Sequence, residues 1–320
     1  MKTLQVITPA EFVILDVPTP RPGLGEVLMR INAVTTCPQW DLHLRHNEPM
    51  FIGHQFRYPY TAGQPGHEAT GLIEAVGAGV DMVVPGDRVS AWRDAGHNLP
   101  GCYAQYVVHR AENVIRVPED LPDDALAPVE LAMCMGTVFR MLKDMDAVRG
   151  RTVGVAGLGP AGLVAVQMAL AEGAKAVIGF DLLADRQALA CRLGASTCFD
   201  PRCGSGPNAL EIPTLETAVD CVGAKVSVEF LLDRTDDVVA LFGVQREDYA
   251  YASRHGGRRL CGYKGHSRES AEYALELIRG GRLNLAALVT HHLPLERYAE
   301  GVDLLEAQKA TKVCFLPWQR

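Results

Sequence analysis

The stretch Val153–Asp181 constrains the fold more than any other part of this sequence. An apolar strand leads into a glycine-rich turn, a helix-like run follows, and a second apolar strand ends in the acid Asp181. The turn carries Gly157, Gly159 and Gly162 at G-x-G-x-x-G spacing. The first glycine permits a tight turn, the second lets the backbone approach a pyrophosphate, and the third lets the helix pack closely on the strand. The pattern predicts a dinucleotide-binding βαβ unit in a doubly wound parallel sheet, with a glycine-rich turn of another βαβ unit as the alternative.

The residues around this turn also indicate which dinucleotide would bind. The helix begins at Pro160 and Ala161, and its N-terminus offers N–H groups and a positive dipole end to the phosphates. Asp181 can accept hydrogen bonds from the ribose hydroxyls, and its carboxylate repels a 2′-phosphate. Arg186 lies a turn further on and would weaken this discrimination. We therefore expect NAD to be favoured over NADP.

Composition argues against several classes of partner. The chain has 320 residues, 48% of them hydrophobic and 22% charged, with a net charge of −7. Such a chain lacks the basic face that nucleic acid or an anionic membrane needs, and no apolar run reaches the roughly 20 residues of a membrane span. The N-terminal segment lacks the features of a signal peptide. Nine cysteines without a C-x-x-C pair indicate free thiols in a cytoplasmic protein, and no structural zinc.

The periodicity of the sequence changes twice along the chain. Residues 1–125 are rich in strand and turn signals, which predicts a β-rich, barrel-like domain. From residue 126 a helix-like run leads into the βαβ unit, and buried-type strands follow to about residue 285. Residues 286–320 return to strand and turn character. A chain of this length has room for about two domains.

A second group of residues has the chemistry of a metal site. Cys37, His67, Glu68, Glu130 and Cys134 supply thiol, imidazole and carboxylate groups. This combination suits a tetrahedral zinc ion, and a catalytic zinc keeps one position for water or substrate beside its three protein ligands. By residue type alone, a histidine beside a glutamate is more often a pair satisfied within the fold. Both interpretations stay open on this evidence.

Six motifs follow one another in a characteristic order over nearly the whole chain. They are Pro20–Leu28, Gly66–Gly71, Val80–Val89, Gly101–Tyr106, Gly157–Gly162 with Asp181, and Thr290–Leu295. Together they resemble the zinc-type medium-chain dehydrogenase/reductases, which include alcohol, polyol and threonine dehydrogenases. The resemblance implies an α/β fold, with a Rossmann domain over residues 126–285 and a GroES-like catalytic barrel domain made of residues 1–125 and 286–320.

The resemblance also implies an activity. It implies zinc-dependent exchange of a hydride between an alcohol or polyol, or the corresponding aldehyde or ketone, and NAD(H). The expected partners are a small-molecule substrate and further copies of this chain in a homodimer or homotetramer. Two other functions stay open: a zinc-free quinone or enone reductase of the same superfamily, and a catalytically silent dinucleotide-binding protein.

Carried over residue by residue, the resemblance makes Cys37 and His67 ligands of one catalytic zinc. Glu68 would be a swinging ligand or a carboxylate that supports the ligands. Glu130 resembles the third ligand of the family, and Cys134 is the alternative to it.

The segment after the first ligand departs from the family pattern. One residue is inserted before Asp41, which matches the acid that hydrogen-bonds the zinc ligand His67. His43 then matches the proton-shuttle histidine. The hydroxyl that normally relays the proton is absent, so a water, Thr35, Thr36 or His43 would have to replace it.

Two further features have open interpretations. The segment Leu44–Gln64 is longer than is typical of the family, and it is interpreted either as a wall of the substrate pocket or as a surface excursion. Lys312 is expected to be a solvated surface lysine, and contact with the cofactor pyrophosphate is the alternative.

Overall fold

The computed structural model describes residues 1–96, 98–204, 212–263 and 265–319. The chain divides into two compact units, which we call unit 1 (Met1–Leu131 with Asn284–Arg320) and unit 2 (Ala132–Leu283). The functional domain boundaries drawn from the sequence, at 125/126 and 285/286, stay a prediction.

Unit 1 contains a small antiparallel hairpin and a seven-stranded sheet. The hairpin is formed by β1 (Lys2–Thr8) and β2 (Glu11–Asp16). The sheet contains β3 (Glu26–Thr35), β4 (Glu68–Val76), β5 (Arg88–Ala91), β6 (Tyr106–Arg110), β7 (Val114–Arg116), β14 (Val289–Pro294) and β15 (Lys312–Leu316). The order is β14-β15-β3-β4-β5-β7, and β6 pairs with β3.

Strand pairing in unit 1 brings three distant segments together. In the antiparallel pair of β3 and β4, Thr35 lies opposite Glu68. In the antiparallel pair of β15 and β3, Cys314 lies opposite the same Thr35. The ends of β3, β4 and β15 therefore meet, and the segments that leave them can share one site.

The helices of unit 1 frame the same region. They are α1 (Pro38–His46), α2 (Asp123–Leu126) and α8 (Tyr298–Glu306), together with the start of α3 (Val129–Asp144), whose remainder belongs to unit 2. Cys37 is the N-cap of α1, and Pro38 follows in the first turn, where a missing N–H costs nothing. Leu44 of α1 packs in the same buried cluster as Val302 of α8 and Phe315 of β15.

Unit 2 contains a six-stranded parallel sheet. Its strands are β8 (Thr152–Ala156), β9 (Ala176–Phe180), β10 (Thr197–Phe199), β11 (Leu215–Asp220), β12 (Thr235–Leu241) and β13 (Arg259–Gly262). The order is β10-β9-β8-β11-β12-β13, in which the chain runs outward from the centre first to one edge and then to the other. This is the doubly wound order of dinucleotide-binding sheets, and the predicted fold class is confirmed.

Three of the described helices connect successive parallel strands of unit 2, as crossover connections require. They are α4 (Pro160–Ala171), α5 (Ala184–Arg192) and α6 (Lys225–Arg234), and a further helix, α7 (Arg268–Arg279), follows the last strand, β13. Most of α4 is buried, because its sequence is apolar on nearly every face. The Ser267 hydroxyl caps α7 by accepting a hydrogen bond from the Ser270 N–H, and Gly280 follows the last turn.

Among the described residues, one apolar segment is long enough to cross a membrane by length and composition. It covers Asp123–Asp144, and 78% of its most apolar window is buried inside the protein. A helix covered by its own protein in this way has the character of a core helix, which explains its apolar composition.

Candidate metal and dinucleotide sites

Four potential ligands gather in unit 1. The ligand atoms of Cys37, His67 and Glu68 all lie within 4.8 Å of one another. A carboxylate oxygen of Glu130, in the first turn of α3, lies 3.8 Å from His67 Nε2. The ends of β3 and β4 and the N-termini of α1 and α3 therefore place a thiol, an imidazole and two carboxylates together.

The imidazole of His67 is held in the orientation that a metal ligand needs. Its Nδ1 lies 2.7 Å from the Pro65 carbonyl oxygen. If Nδ1–H donates to that carbonyl, the lone pair of Nε2 is directed to the side where Glu130 lies. Burial lowers the pKa of His67, but Cys37, Glu130 and Glu68 outweigh it and raise that pKa well above its usual value.

The donor set fits a divalent cation. One imidazole is surrounded by groups that carry negative charge when deprotonated, so the cluster attracts positive charge. Cys37 is also the N-cap of α1, and the N-terminus of a helix favours a negatively charged group such as a metal-binding thiolate. Thiolate, imidazole and carboxylate are the ligands of tetrahedral zinc. The residues present therefore fit the metal that the sequence predicts.

Glu68 is tied to a buried lysine. Both of its carboxylate oxygens accept hydrogen bonds from Lys312 Nζ, at 2.7 and 2.6 Å, and its Oε2 also accepts one from the Thr35 hydroxyl at 3.0 Å. The Glu68 and Lys312 side chains are each only 1% exposed. Burial raises the pKa of Glu68, and Lys312 opposes that rise. This engagement favours the supporting role over the swinging-ligand role for Glu68.

The expectation of a solvated surface lysine at position 312 is wrong. The Lys312 ammonium lies in the interior of unit 1, where it also donates a hydrogen bond to the Thr36 carbonyl oxygen at 2.5 Å. A buried ammonium needs an anion, and Glu68 supplies it. The hydroxyls of Thr35 and Thr36 are engaged as well: Thr35 donates to Glu68, and Thr36 accepts a hydrogen bond from the Val313 N–H.

Glu130 and Cys134 lie one helical turn apart on α3. The Glu130 carboxylate is buried beside His67, as described above. The Cys134 thiol is also buried, and the Tyr263 hydroxyl lies 3.0 Å from its sulfur. The contact with His67 favours Glu130 as the third ligand, and that choice stays a prediction.

Asp41 is not hydrogen-bonded to His67, so this part of the sequence interpretation is wrong. The Tyr103 hydroxyl lies 3.0 Å from both Asp41 carboxylate oxygens, and the Tyr298 hydroxyl donates to Oδ1 at 2.9 Å. The carbonyl oxygen of Pro65 takes the place beside His67 Nδ1 that was predicted for Asp41. The Pro65 carbonyl thus satisfies His67 Nδ1, and the two tyrosine hydroxyls satisfy the Asp41 carboxylate.

His43 lies in the last turn of α1, close to Glu48. Its Nδ1 is 3.2 Å from the Glu48 carbonyl oxygen and 3.9 Å from the Glu48 carboxylate. A role as proton shuttle stays a prediction.

The buried carboxyl of Asp41 predicts a loss of stability with rising pH in metal-free protein. Burial raises its pKa from 3.8 to about 6, although Tyr298 and Tyr103 lower it by hydrogen bonding. The folded state therefore holds this proton more tightly than the unfolded chain. Its contribution is complete below pH 3.8 and is lost as the pH rises through about 6. We expect about 3 kcal/mol from this group over that range.

Urea unfolding followed by tryptophan fluorescence measures this effect, because Trp40, Trp92 and Trp318 all lie in unit 1. The variant Asp41→Asn should lose the pH dependence that this carboxyl supplies. The matched control is Asp81→Asn, which replaces an exposed acid and should keep the pH dependence of the parent protein. An Asp41→Asn variant with the pH slope of the parent protein would contradict the assignment.

The glycine-rich turn of unit 2 lies between β8 and α4, as predicted. Gly157 has a φ of +82°, a left-handed conformation that favours glycine. A Cβ on Gly162 would lie 1.8 Å from the Gly157 carbonyl oxygen, so only glycine lets the helix pack this closely. A Cβ on Gly159 would meet nothing within 4 Å, which leaves open space for a ligand beside the backbone. In the described chain no side chain caps α4 at its Pro160–Ala161 start, so this N-terminus has the character of an anion site.

Asp181 lies directly against this turn. One carboxylate oxygen accepts a hydrogen bond from the Leu158 N–H at 2.7 Å, and the other accepts one from the Leu183 N–H at 2.9 Å. Arg186 Nη1 lies 3.7 Å from Asp181 Oδ2. Each carboxylate oxygen has a second lone pair for a ribose hydroxyl. The acid is thus held in place by the same turn that would hold the phosphates.

The segment Leu44–Gln64 divides into a buried and an exposed part. Met50, Phe56 and Tyr60 belong to the core of unit 1, whereas the neighbouring Ile52 is 91% exposed. The segment is therefore anchored in unit 1, and its role as a wall of the substrate pocket stays a prediction.

Sequence reasoning missed the partners of three predicted site residues. Pro65 contacts His67, Tyr103 and Tyr298 contact Asp41, and the buried Lys312 contacts Glu68. One signal was available: Tyr103 carries a hydroxyl where the motif it resembles usually has phenylalanine. A buried hydroxyl needs a hydrogen-bond partner, and here that partner is Asp41.

Comparison with known proteins matches this architecture. The family model of the alcohol dehydrogenase GroES-like domain matches residues 23–119. The chain is 28% identical to L-threonine 3-dehydrogenase of Anaeromyxobacter sp. (strain K) over an alignment of 336 positions, gaps included, that covers 95% of this chain and 94% of the relative. It is 34% identical to an alcohol dehydrogenase of Geobacillus stearothermophilus over an alignment of 212 positions that covers 58% of this chain and 59% of the relative.

A solved structure shows the same similarity in three dimensions over nearly the full length. The galactitol-1-phosphate dehydrogenase of Escherichia coli superimposes with a TM-score of 0.83 and 25% identity, covering 99% of this chain and 100% of that one. These relatives are all named dehydrogenases.

Proposed function

Because the chain belongs to the zinc-type medium-chain dehydrogenase/reductase superfamily, we propose that it exchanges a hydride between NAD(H) and an alcohol or polyol, or the corresponding aldehyde or ketone. That it is an alcohol dehydrogenase-type oxidoreductase follows from its relatives. The observation that carries the finer proposal is the gathering of thiol, imidazole and carboxylate ligand atoms within 4.8 Å in unit 1.

The zinc ion would be bound by Cys37, His67 and Glu130. The buried Glu68–Lys312 ion pair would lie next to these ligands and stabilise their arrangement. When bound, the zinc would stabilise negative charge on the substrate oxygen as a Lewis acid. The Pro65 carbonyl fixes the His67 ring so that one nitrogen stays available as a ligand.

In unit 2 the chain would orient the cofactor. The open backbone at Gly159 and the N-terminus of α4 would receive the pyrophosphate. Asp181 would accept hydrogen bonds from the adenosine ribose, which favours NAD over NADP.

Oxidation of an alcohol also releases a proton that the chain must carry away. The Thr35 hydroxyl already donates its proton to Glu68, which argues against it as a relay, whereas the Thr36 hydroxyl only accepts a hydrogen bond from the Val313 N–H. We therefore assign the relay to a water, to Thr36 or to His43.

The proposal is tested by zinc analysis combined with turnover of a substrate panel. The panel contains simple alcohols, polyols, a polyol phosphate, L-threonine and the corresponding carbonyl compounds with NADH. We expect about one zinc per chain and turnover of at least one member. Less than about 0.3 zinc per chain, with turnover of quinones or enones, would favour a zinc-free reductase. Tight NADH binding without any turnover would favour a catalytically silent protein.

Replacing the ribose-binding acid should change the choice of cofactor. Asp181→Ser removes the carboxylate that repels a 2′-phosphate. It also frees Arg186, whose Nη1 lies 3.7 Å from Asp181 Oδ2, to contact that phosphate. We expect the ratio of kcat/KM for NAD to kcat/KM for NADP to fall by about tenfold or more. Steady-state kinetics with both cofactors measures the ratio.

The matched control is Asp185→Asn, an exposed acid in the first turn of α5. It changes the net charge in the same direction and should leave the ratio unaltered. An equal change in both variants would show a general charge effect and would contradict a specific role for Asp181.

A cytoplasmic location and a homodimeric or homotetrameric assembly belong to the same proposal. Both are inferred from the sequence and its family resemblance.

A further inference from the structure

Two of the nine cysteines in this chain face each other directly. Cys191 Sγ and Cys198 Sγ lie 3.5 Å apart, and both side chains are free thiols. Cys191 belongs to the last turn of α5, and Cys198 is the middle residue of β10. The connection between them is a short turn that includes Gly194, whose φ is +105°.

The neighbouring strand leaves room for this contact. In the β9–β10 pair, Cys198 lies opposite Gly179. A Cβ on Gly179 would lie 2.7 Å from Cys198 Sγ, so any larger residue would displace the sulfur. The missing side chain therefore lets the Cys198 sulfur lie over β9, next to Cys191.

The two thiols differ in access to solvent. Cys191 is exposed and Cys198 is half-buried. Burial raises the pKa of the Cys198 thiol, and its contact with Cys191 adds to that rise. An oxidant in solution therefore reaches the Cys191 thiol first. The Cys198 thiol is already in contact with the sulfur that becomes oxidised.

We propose that Cys191 and Cys198 are an oxidation site, at which a peroxide produces an intramolecular disulfide. The sulfurs need to approach by only about 1.5 Å to reach disulfide bonding distance. The inference does not depend on the proposed zinc chemistry.

The chemistry takes two steps. In the first, the Cys191 sulfur attacks one peroxide oxygen, so that an S–O bond forms, the O–O bond breaks, and the released hydroxide takes the thiol proton to give water. In the second, the Cys198 sulfur attacks the sulfenic acid of Cys191, so that an S–S bond forms and hydroxide leaves with the Cys198 proton as a second water. Two thiols are oxidised by two electrons, and one peroxide is reduced to two waters. We expect the second step to be slower, because burial keeps Cys198 protonated.

The site lies beside the acid that we assign to the cofactor ribose. Asp181 follows β9 directly, and its N–H donates to the carbonyl oxygen of Phe199, the residue after Cys198. The disulfide would join the end of α5 to β10, and these are the two elements that follow Asp181 in the chain.

The test is oxidation of the full-length protein with hydrogen peroxide, followed by tryptic digestion without reductant and mass spectrometry. Arg192 lies between the two cysteines, so trypsin separates Gln187–Arg192 from Leu193–Arg202 unless a disulfide joins them. We expect the joined peptide, lighter than the sum of its parts by about 2 Da, and its disappearance on treatment with dithiothreitol.

Three variants sharpen the result. Cys191→Ser and Cys198→Ser should each abolish the joined peptide, and Cys198→Ser should leave a Cys191 sulfenic acid that dimedone traps. Cys203→Ser removes another exposed cysteine of unit 2 and should leave the joined peptide unchanged. The proposal is overturned if Cys191 pairs with Cys203, if Cys191 is oxidised to the sulfonic acid while Cys198 stays reduced, or if neither cysteine reacts.

Discussion

Replacing Cys37 by alanine is expected to remove the metal from the protein and almost all of its dehydrogenase activity. The thiol is one of three groups whose ligand atoms lie within 4.8 Å of one another. Loss of a residue that hydrogen-bonds a metal ligand typically lowers metal affinity or activity by about 10–100-fold. Loss of the ligand itself should therefore lower metal affinity and activity by about 1000-fold or more. Metal analysis after dialysis and kcat/KM with the best substrate of the panel measure both effects.

The matched control is Cys102→Ala, which removes a fully buried thiol from the same unit. Its zinc content and kcat/KM should stay near those of the parent protein. NADH binding by Cys37→Ala should also persist, because the glycine-rich turn belongs to unit 2. A Cys37→Ala variant with full zinc content would remove this residue from the ligand set.

Replacing Lys312 by methionine is expected to destabilise unit 1 strongly. The ammonium and the Glu68 carboxylate are both buried, and the variant leaves the carboxylate without its partner. Breaking a buried ion pair from one side costs about 3–5 kcal/mol. Urea unfolding at neutral pH, followed by tryptophan fluorescence, reports the loss, because all three tryptophans lie in unit 1.

Two controls separate the ion pair from a general effect of the substitution. The double variant Glu68→Gln/Lys312→Met lacks both charges and should recover part of the lost free energy of unfolding. Arg297→Met breaks a surface pair with Glu300, 2.5 Å long and about half exposed, and should cost less than about 1 kcal/mol. A Lys312→Met variant no less stable than Arg297→Met would contradict the account of Lys312 as a buried counterion.

The glycine-rich turn of unit 2, our candidate dinucleotide site, was predictable because its determinants are local. Gly157, Gly159, Gly162 and Asp181 lie within one strand–turn–helix–strand unit, and each has the backbone position that its residue type indicates. A left-handed φ and a close helix–strand approach leave no alternative to glycine. The observed order of the parallel strands is the doubly wound order that this motif predicts.

Of the candidate metal site in unit 1, only the proposed ligands were predictable. The family resemblance places Cys37 beside His67, and the structure brings their ligand atoms together. The contacts of Glu68 and Asp41 depend on segments that are distant in the sequence. Lys312 contacts Glu68 across 244 residues of sequence, and Tyr298 contacts Asp41 across 257. No local pattern specifies such contacts, and a lysine near the end of the chain therefore looks like a surface residue until β15 is placed beside β3.

The most direct test of the metal site is anomalous diffraction at the zinc absorption edge from crystals of the protein purified without chelators. We expect one anomalous peak in unit 1, about 2.3 Å from Cys37 Sγ and about 2.0–2.1 Å from His67 Nε2. Zinc-containing crystals whose anomalous peak lies away from both of these atoms would contradict the proposed metal site.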